Sequence, residues 1–287
     1  MGNLVTTKKT KNSRTILMEL GRYALLVLLA IFSATPILLT IWNSLKTQLE
    51  LTNNPLGVPS EPQWQNYLEA WTVGRFSTAF ASSLAVVIGS VLLIALVSTM
   101  AAYPLSRLEF PKTGTLILYL LVLNSLPIQL FLVPLFFVWS RLGLYDTHLG
   151  LVIIYTAVNA PFATLLLRSF MIGIPRDYED AARVDGAGEF KVFLTITLPL
   201  AWSGILTISL VAGLAVYNEF FLALMFIQSP ELMPISTSLF NFRNGFSTNF
   251  PLQAAAGMMM LAPMILAFLI LHRRFVSGIT SSGLAGA

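Results

Sequence analysis

The chain has 287 residues, of which 56% are hydrophobic and only 10% are charged, and its mean hydropathy is +0.77. This composition predicts an integral membrane protein and excludes an ordinary soluble domain. The net charge of +4 is spread along the chain and is not gathered into a basic stripe, so nucleic-acid binding is not indicated. The absence of cysteine excludes disulfides, thiolate metal sites and a cysteine nucleophile.

Six apolar segments follow one another along the chain, and each is long enough to cross a membrane core of about 30 Å. Their approximate limits are 23–42, 82–105, 115–139, 149–172, 199–227 and 252–271. They predict an all-α membrane protein with six transmembrane helices over residues 23–274. Tails at 1–22 and 275–287 flank this domain.

Two longer polar connections, 46–80 and 228–250, are predicted to lie outside the cell. The first contains three prolines, which exclude a long helix, although residues 63–71 have the pattern of a short one. Pro127 and Pro134 lie inside the third apolar segment. Each proline leaves backbone groups of the helix without a hydrogen-bond partner, and neighbouring groups in the membrane have to provide one.

The distribution of positive charge predicts the orientation in the membrane. Six spans place both termini on the same side, and assigning that side to the cytoplasm puts thirteen of the seventeen Lys and Arg residues there. Cytoplasmic loops are enriched in these residues, so both termini are predicted to be cytoplasmic.

The segment 173–199 is a charged island between the fourth and fifth apolar segments. Its helical period places Ala181 and Ala182 together on one face of a short helix. Gly186 and Gly188 are predicted to break this helix, because glycine tolerates the positive φ that ends many helices. A second helical period then leads into the fifth apolar segment.

This segment resembles the E-A-A-x3-G-x9-I-x-L-P loop of the membrane subunits of bacterial ABC importers. Asp180-Ala181-Ala182 is followed after three residues by Gly186, and after nine more by Ile196-Thr197-Leu198-Pro199. Asp180 stands where the family usually has Glu, and the neighbouring Glu179 could share its role. An ordinary amphipathic cytoplasmic loop is the alternative interpretation.

Other stretches extend the resemblance over nearly the whole chain, to the carbohydrate branch of these permeases and its maltose-type smaller subunit. They are residues 101–111, Leu142-Gly143-Leu144, Pro161-Phe162, Tyr217-Asn218-Glu219-Phe220 and residues 274–280. The resemblance implies the type I ABC importer fold, a bacterial cytoplasmic (inner) membrane location, and import of a sugar, oligosaccharide or sugar-like osmolyte.

The sequence contains no G-x-x-x-x-G-K-[ST] run, so ATP has to be hydrolysed on another chain, and this chain is predicted to be no enzyme. The resemblance implies no cofactor here, with ATP and Mg on the partner ATPase. It implies an ATPase dimer, a second related permease, an external or periplasmic solute-binding protein and membrane lipid as partners.

The resemblance also implies that the segment 173–199 couples the ATPase to the membrane spans. A static cytoplasmic cap is the alternative. The residues assigned to this coupling are Glu179, Asp180, Ala181, Ala182, Arg183, Asp185, Gly186 and Pro199.

Polar side chains within the apolar segments are candidates for a substrate path, because such groups are costly in lipid. They are Asn124, Gln129, Asn159, Asn218, Glu219 and Gln253. Asn159 can instead satisfy the backbone at a kink beside Pro161, and Glu219 can form an ion pair with a partner subunit rather than contact a sugar. Two histidines and the lack of paired carboxylates give no support to a catalytic or metal site.

Two other functions compete with this interpretation. A secondary transporter or channel working alone would carry intramembrane charge relays or an internally repeated half, and the sequence shows neither. An ABC permease for a non-sugar solute, such as a polyamine or a phosphate ester, would keep the mechanism and change only the pocket.

Overall fold

A computed structural model describes residues 13–108, 111–244 and 247–283, and within these ranges the fold is almost entirely helical. Four helices are single elements of membrane length: α1 (Ser13–Ser44), α4 (Phe76–Arg107), α7 (His148–Ile172) and α13 (Phe250–Gly283). Two bent helix pairs bring the number of candidate spans to six. The predicted helical membrane fold is therefore confirmed. Parts of the predicted tails, residues 1–12 and 284–287, lie outside the described residues.

The third predicted span is broken in two. It consists of α5 (Thr113–Ser125) and α6 (Leu132–Arg141), joined through a 3₁₀-helix (Ile128–Phe131) and bent by 85°. The break falls at Pro127, because proline has no N–H for the helix ladder and disfavours helical geometry in the preceding residue. The single segment 115–139 expected from the sequence is corrected accordingly.

The fifth predicted span is also broken, and the segment 173–199 before it folds into short helices. In chain order these elements are α8 (Asp177–Val184), α9 (Glu189–Val192), a π-helical turn (Phe193–Thr197), α10 (Leu198–Leu200), α11 (Trp202–Asn218) and α12 (Phe221–Phe226). The axis bends by 71° between α10 and α11. The longest helix in the segment 199–227 is therefore α11, which has 17 residues and forms a candidate span only together with the bent part before it.

The polar connection 46–80 is shorter than predicted, because α4 begins at Phe76. It contains α2 (Gln48–Asn53) and α3 (Gln65–Val73), and α3 confirms the short helix predicted over 63–71. The connection 228–250 contains a 3₁₀-helix (Ile235–Phe242) and an antiparallel pair of two-residue strands, β1 (Arg243–Asn244) and β2 (Ser247–Thr248).

Helix α4 lies at the centre of the bundle and packs most extensively against α7. Its buried face includes a series of residues spaced by four that combines small and branched side chains: Val86, Ser90, Ile94, Ser98 and Ala102. Small residues allow two helices to approach closely in a membrane. By contrast, the most apolar stretch of α1 has no buried residue, and this helix packs mainly against α13.

The bundle has two chemically different ends. Arg107 of α4 contacts the segment 173–199 at one end, which we call the loop end. The connections 45–75, 142–147 and 228–249 gather at the opposite end, which we call the far end, through contacts such as Arg75 with Glu231 and Asp146 with Ser229. The predicted coupling segment thus lies at the end of the bundle opposite these three connections.

Candidate functional site

Helix α8 is the first element of the loop end. Three acidic residues lie in its first turn, where negative charge interacts favourably with the helix dipole. Gly186 follows the helix with a φ of +83°, and the backbone N–H groups of Gly186 and Ala187 close the last turn. Gly188 has a φ of −71° and directly precedes α9, so only one of the two glycines predicted to break the helix adopts a left-handed conformation.

The carboxylate of Glu179 points into the protein. Its side chain is 1% exposed, its Oε1 lies 2.8 Å from Nε of Arg107, and it accepts a hydrogen bond of 2.9 Å from Thr197 Oγ1. The Arg107 side chain is 3% exposed and donates to the carbonyl oxygen of Ile174 at 2.9 Å. The expectation that Glu179 shares the partner-facing role of Asp180 is therefore corrected. One residue turns a helix by about 100°, so adjacent side chains face different surroundings.

Arg183 connects three carboxylates of the loop end. Its guanidinium lies 2.7 Å from Glu189, 2.7 Å from Asp180 and 3.4 Å from Glu179. Hydrogen bonding to Glu189 is the main reason that the pKa of Arg183 lies above its usual value, so the side chain stays charged. Glu189 also accepts a hydrogen bond of 2.8 Å from the Tyr103 hydroxyl of α4. Arg183 therefore serves contacts within this chain.

The outer surface of the loop is apolar and exposed. Tyr178, Val184 and Phe190 have exposed fractions of 57%, 88% and 72%. Ala181 is exposed between them, and the Asp180 side chain, 62% exposed, lies beside it. We call these five residues the docking face. Exposed apolar clusters rimmed by charge mark interaction sites.

The other residues assigned to coupling have different positions. Ala182 is half-buried, and Asp185 is exposed directly after α8. Pro199 lies in α10, after the π-helical turn. Because Pro199 has no N–H to donate, the turn before it cannot form a regular α-helical bond there, and a widened turn is a common result. The chain between the loop and α11 therefore contains both a widened turn and a bend.

The six candidates for a substrate path do not converge on one site. Asn124 and Gln129 are exposed near the break between α5 and α6. Asn159 and Asn218 each donate a hydrogen bond of 2.8 Å to a carbonyl oxygen four residues earlier in their own helix. The carbonyl group that Pro161 leaves without an α-helical N–H partner is that of Ala157, so the bond of Asn159 to Tyr155 does not decide between the two interpretations of Asn159. Gln253 borders a separate recess of about 330 Å³ between α1, α2 and α13.

Glu219 forms its contacts inside the chain. Its carboxylate accepts hydrogen bonds from the Tyr155 hydroxyl at 2.7 Å and from the backbone N–H groups of Leu222 and Ala223 at 2.9 and 3.2 Å. Its carbonyl oxygen accepts a bond of 2.7 Å from Ser236 Oγ. The residue therefore caps α12 and links it to α7 and the connection 228–249.

A groove of about 600 Å³ lies between α4, α11 and α13. Its lining is almost entirely apolar and includes Leu84, Val91, Leu210, Tyr217 and Met264. None of the six polar candidates lines it. In the part of the chain that the structure describes, no cluster of His, Asp and Glu is suited to hold a metal ion.

Four residues of the loop end were missed by the sequence interpretation: Tyr103, Arg107, Glu189 and Thr197. Arg107 offered a partial signal, because a single arginine at the end of an apolar segment needs an anionic or interfacial environment. Its partner Glu179 lies far along the chain, so sequence spacing alone does not identify the pair.

Comparison with known proteins places the chain among transport proteins. The family described as binding-protein-dependent transport system inner membrane component matches residues 94–281. The probable ABC transporter permease protein YurM of Bacillus subtilis is 32% identical over 268 residues, which are 93% of this chain and 89% of that protein. The diacetylchitobiose uptake system permease protein NgcG of Streptomyces coelicolor is 31% identical over 265 residues, 91% of this chain and 87% of that protein.

A solved structure has a similar fold. It is a chain in the crystal structure of a bacterial ABC transporter involved in the import of the acidic polysaccharide alginate. The TM-score is 0.79 at 20% sequence identity, over 93% of this chain and 99% of that chain. The likeness covers nearly the whole length of both chains and concerns the overall fold.

Proposed function

The chain belongs to the binding-protein-dependent transport system inner membrane components, and from this premise we propose that it imports a sugar, an oligosaccharide or a sugar-like osmolyte. It is a multi-pass permease subunit of an ABC importer and is not itself an ATPase. Its family implies an ATPase and a solute-binding protein as partners. The relative that takes up diacetylchitobiose supports a carbohydrate as the solute.

The docking face supports the coupling role of the loop. Its exposed side chains are Tyr178, Val184 and Phe190, next to the carboxylate of Asp180. In our proposal this face packs into the ATPase subunit, which forms a dimer and binds ATP and Mg, while this chain binds no cofactor. Asp180 then contacts a basic group of the ATPase, and Glu179 anchors the opposite side of α8 to Arg107 in the bundle.

A second, related permease subunit would complete the substrate path. Asn124, Gln129 and Asn218 are exposed on this chain, and polar groups at membrane depth need a partner surface or a water-filled cavity. The groove between α4, α11 and α13 is open and apolar, as expected for a surface that packs against another helical subunit. The exposed apolar side chains of α1 would contact lipid.

The loop end is proposed to lie in the cytoplasm, together with both termini. Arg107, Arg168, Arg176, Arg183 and Lys191 all belong to this end, as the preference for basic residues on the cytoplasmic side requires. Because the chain has no cysteine, single cysteines can report topology. Cysteines replacing Ser13 and Ser282 should react only from the cytoplasm, and one replacing Ser60 only from outside. Opposite sides for Ser13 and Ser282 would contradict six spans.

Transport itself is tested in proteoliposomes that contain the complex purified through a tag on this chain, with its binding protein supplied outside. ATP-dependent uptake would be measured for diacetylchitobiose, a neutral plant oligosaccharide, a sugar-like osmolyte and spermidine. Uptake of a carbohydrate or the osmolyte supports the proposal. Uptake of spermidine alone would establish the alternative, a permease of the same mechanism for a non-sugar solute.

The docking face has a matched pair of variants. Val184→Asp places a charge on the face, whereas Val58→Asp places the same charge on an exposed valine at the far end. We expect the first variant to lose most of the ATPase during purification and the second to retain it at the wild-type level. Equal retention in both variants at equal membrane levels would show that the ATPase binds elsewhere.

A further inference from the structure

The ion pair between Arg107 and Glu179 joins two helices that lie far apart in the sequence. Arg107 ends α4, and Glu179 lies in the first turn of α8, with side chains that are 3% and 1% exposed. Removing two charges from water is costly, and the attraction between them offsets this cost only when further hydrogen bonds satisfy both groups. Thr197 and the carbonyl oxygen of Ile174 supply those bonds.

Stability alone does not account for such a pair. Well-packed apolar residues of similar volume often hold two helices together as firmly as a buried ion pair, or more firmly. What the charged pair adds is a close contact, 2.8 Å between Arg107 Nε and Glu179 Oε1, that only these two side chains of the two elements can make. Three elements meet here, because Glu179 of α8 contacts both Arg107 of α4 and Thr197 of the π-helical turn that leads toward α11.

The covalent path from α8 to the bundle is jointed. It passes the left-handed Gly186, then the π-helical turn Phe193–Thr197, and then the 71° bend between α10 and α11. The contact between the Glu179 and Arg107 side chains connects α8 directly to α4. No break in the helix follows this contact, because α4 is continuous from Arg107 back to Phe76. Tyr103, one turn earlier in α4, makes a second link through its hydrogen bond to Glu189.

We propose that the Arg107–Glu179 pair couples helix α8 to α4, in addition to its covalent connection to α11. Helices α4 and α8 then move as one rigid body when the ATPase dimer closes. This inference rests on the proposed coupling function and names its mechanical route. Both side chains act as positioning residues. Helix α4 lines the apolar groove with α11 and α13, so its displacement changes the width of that groove.

The experiment measures whether α8 and α4 move together. Spin labels are attached to cysteines replacing Asp177, exposed at the start of α8, and Leu96, 57% exposed on α4 and about 16 Å along the helix from Arg107. The distance between the labels is measured in the purified complex, at rest and after trapping with Mg-ATP and vanadate. In the wild-type background we expect the same narrow distance distribution in both states.

The decisive background is the double variant Glu179→Gln with Arg107→Met, which leaves no charge stranded in the interior. We expect it to keep its ATPase, because the docking face is unchanged, and to show a distance that shifts or broadens on trapping. Arg107→Lys, which keeps the positive charge, should restore most of the wild-type behaviour. Glu231→Gln, which removes the exposed pair with Arg75 at the far end, should leave the distances unchanged.

Two outcomes would overturn the inference while the proposed function stands. In the first, the distance between the two spin labels in the double variant equals that of the wild type in both states, which would show that α4 follows α8 without the ion pair. In the second, the double variant loses the ATPase that the wild type retains, which would show that the ion pair maintains the docking face and does not transmit movement. A wild-type complex that retains no ATPase would remove the proposed function and this inference with it.

Discussion

The two ends of the bundle are held together by different kinds of interaction. At the loop end, ionised side chains contact one another: Arg107 pairs with Glu179, and Arg183 reaches three carboxylates. At the far end, side chains mainly bond to the backbone. Asn66 donates to the carbonyl oxygens of Ser44 and Lys46 at 2.8 and 2.9 Å.

A buried lysine at the far end shows the contrast most clearly. Lys46 is 0% exposed, and its ammonium group donates to Asn43 Oδ1 at 2.9 Å and to the carbonyl oxygen of Asn54 at 2.8 Å. Its hydrogen-bonding partners are neutral and fixed in the chain. Backbone-directed bonds define one geometry, whereas a cation among several carboxylates has alternative partners at similar distances. The far end is therefore built to keep its shape, while the ion pairs of Arg183 at the loop end can be exchanged for one another.

The largest expected effect tests the buried pair of the loop end. Glu179→Ala leaves the charge of Arg107 buried without its partner, and breaking a buried ion pair from one side costs about 3–5 kcal/mol. Asp180→Ala, one residue away with a side chain 62% exposed, should cost less than about 1 kcal/mol. Thermal unfolding midpoints of the detergent-solubilised protein check this, and similar midpoints for both variants would contradict the burial argument.

The second prediction concerns Asp146 at the far end. Its carboxylate accepts bonds from the N–H groups of Gln228 and Ser229 at 2.8 and 3.0 Å and from Ser229 Oγ at 2.5 Å. Asp146→Ala leaves these donors unpaired and should cost about 2–3 kcal/mol. Asp146→Asn keeps an acceptor and should cost less. Since the loop end is untouched, ATPase retention should not change in either variant.

The pH dependence of this contact has a definite sign. Desolvation by itself would raise the pKa of Asp146, but the hydrogen bonds from Ser229 and Gln228 outweigh it and hold that pKa below its usual value. The stabilisation is therefore complete above the unfolded pKa of about 3.9 and is lost as the pH falls through the lower folded value. The difference in unfolding midpoint between wild type and Asp146→Ala should be constant from about pH 8 to 6 and shrink below about pH 4.

The third prediction separates the two glycines of the loop end. Both have open space around the position of a Cβ atom, but only Gly186 has a left-handed backbone, with a φ of +83°. Gly186→Val should cost about 1–2 kcal/mol and reduce ATPase retention, whereas Gly188→Val should change neither by much. Gly186→Asn should recover part of the loss, because asparagine tolerates this conformation. Equal effects at both positions would show that flexibility, and not the sign of φ, matters.

The smallest effect is expected for the exposed ion pair between Arg75 and Glu231. The charged atoms are 3.7 Å apart, and the side chains are 56% and 71% exposed. Such pairs contribute from nothing to about 1 kcal/mol, and salt weakens them further. Glu231→Gln should therefore leave the unfolding midpoint within error of the wild type at low and high salt. A decrease of the unfolding midpoint as large as that caused by Asp146→Ala would show that the Arg75–Glu231 ion pair is a main source of stability at the far end.

Local periodicity explains the elements that could be predicted from the sequence. Helix α7 begins at His148, next to the predicted limit of 149, and α3 lies where the 63–71 pattern placed it. Prolines were harder to interpret. Pro104 and Pro161 lie inside continuous helices, whereas the third span breaks at Pro127. The effect of a proline depends on whether neighbouring groups satisfy the freed backbone, and those neighbours are not adjacent in sequence.

The candidate site was predicted in outline but not in the direction of its side chains. The position of the loop, the left-handed Gly186 and the exposed Asp180 follow from a local pattern. The inward orientation of Glu179 does not, because it depends on Arg107 at the end of a distant helix. The contacts of Glu219 were not predicted either: its role on a substrate path or at a subunit contact stays a prediction, while its carboxylate caps α12 within this chain.

The π-helical turn Phe193–Thr197 holds one surplus residue in the chain between α9 and α10. A π turn bonds each N–H to the carbonyl five residues back, whereas an α turn uses the fourth. One residue of an α-helix corresponds to a rotation of about 100° and a rise of about 1.5 Å. Conversion of this turn to α-helical geometry would therefore rotate and shift α10 by these amounts relative to α9. Thr197, whose hydroxyl donates to Glu179, lies in this turn. The bond therefore fixes the rotational setting of the chain entering α11 against helix α8.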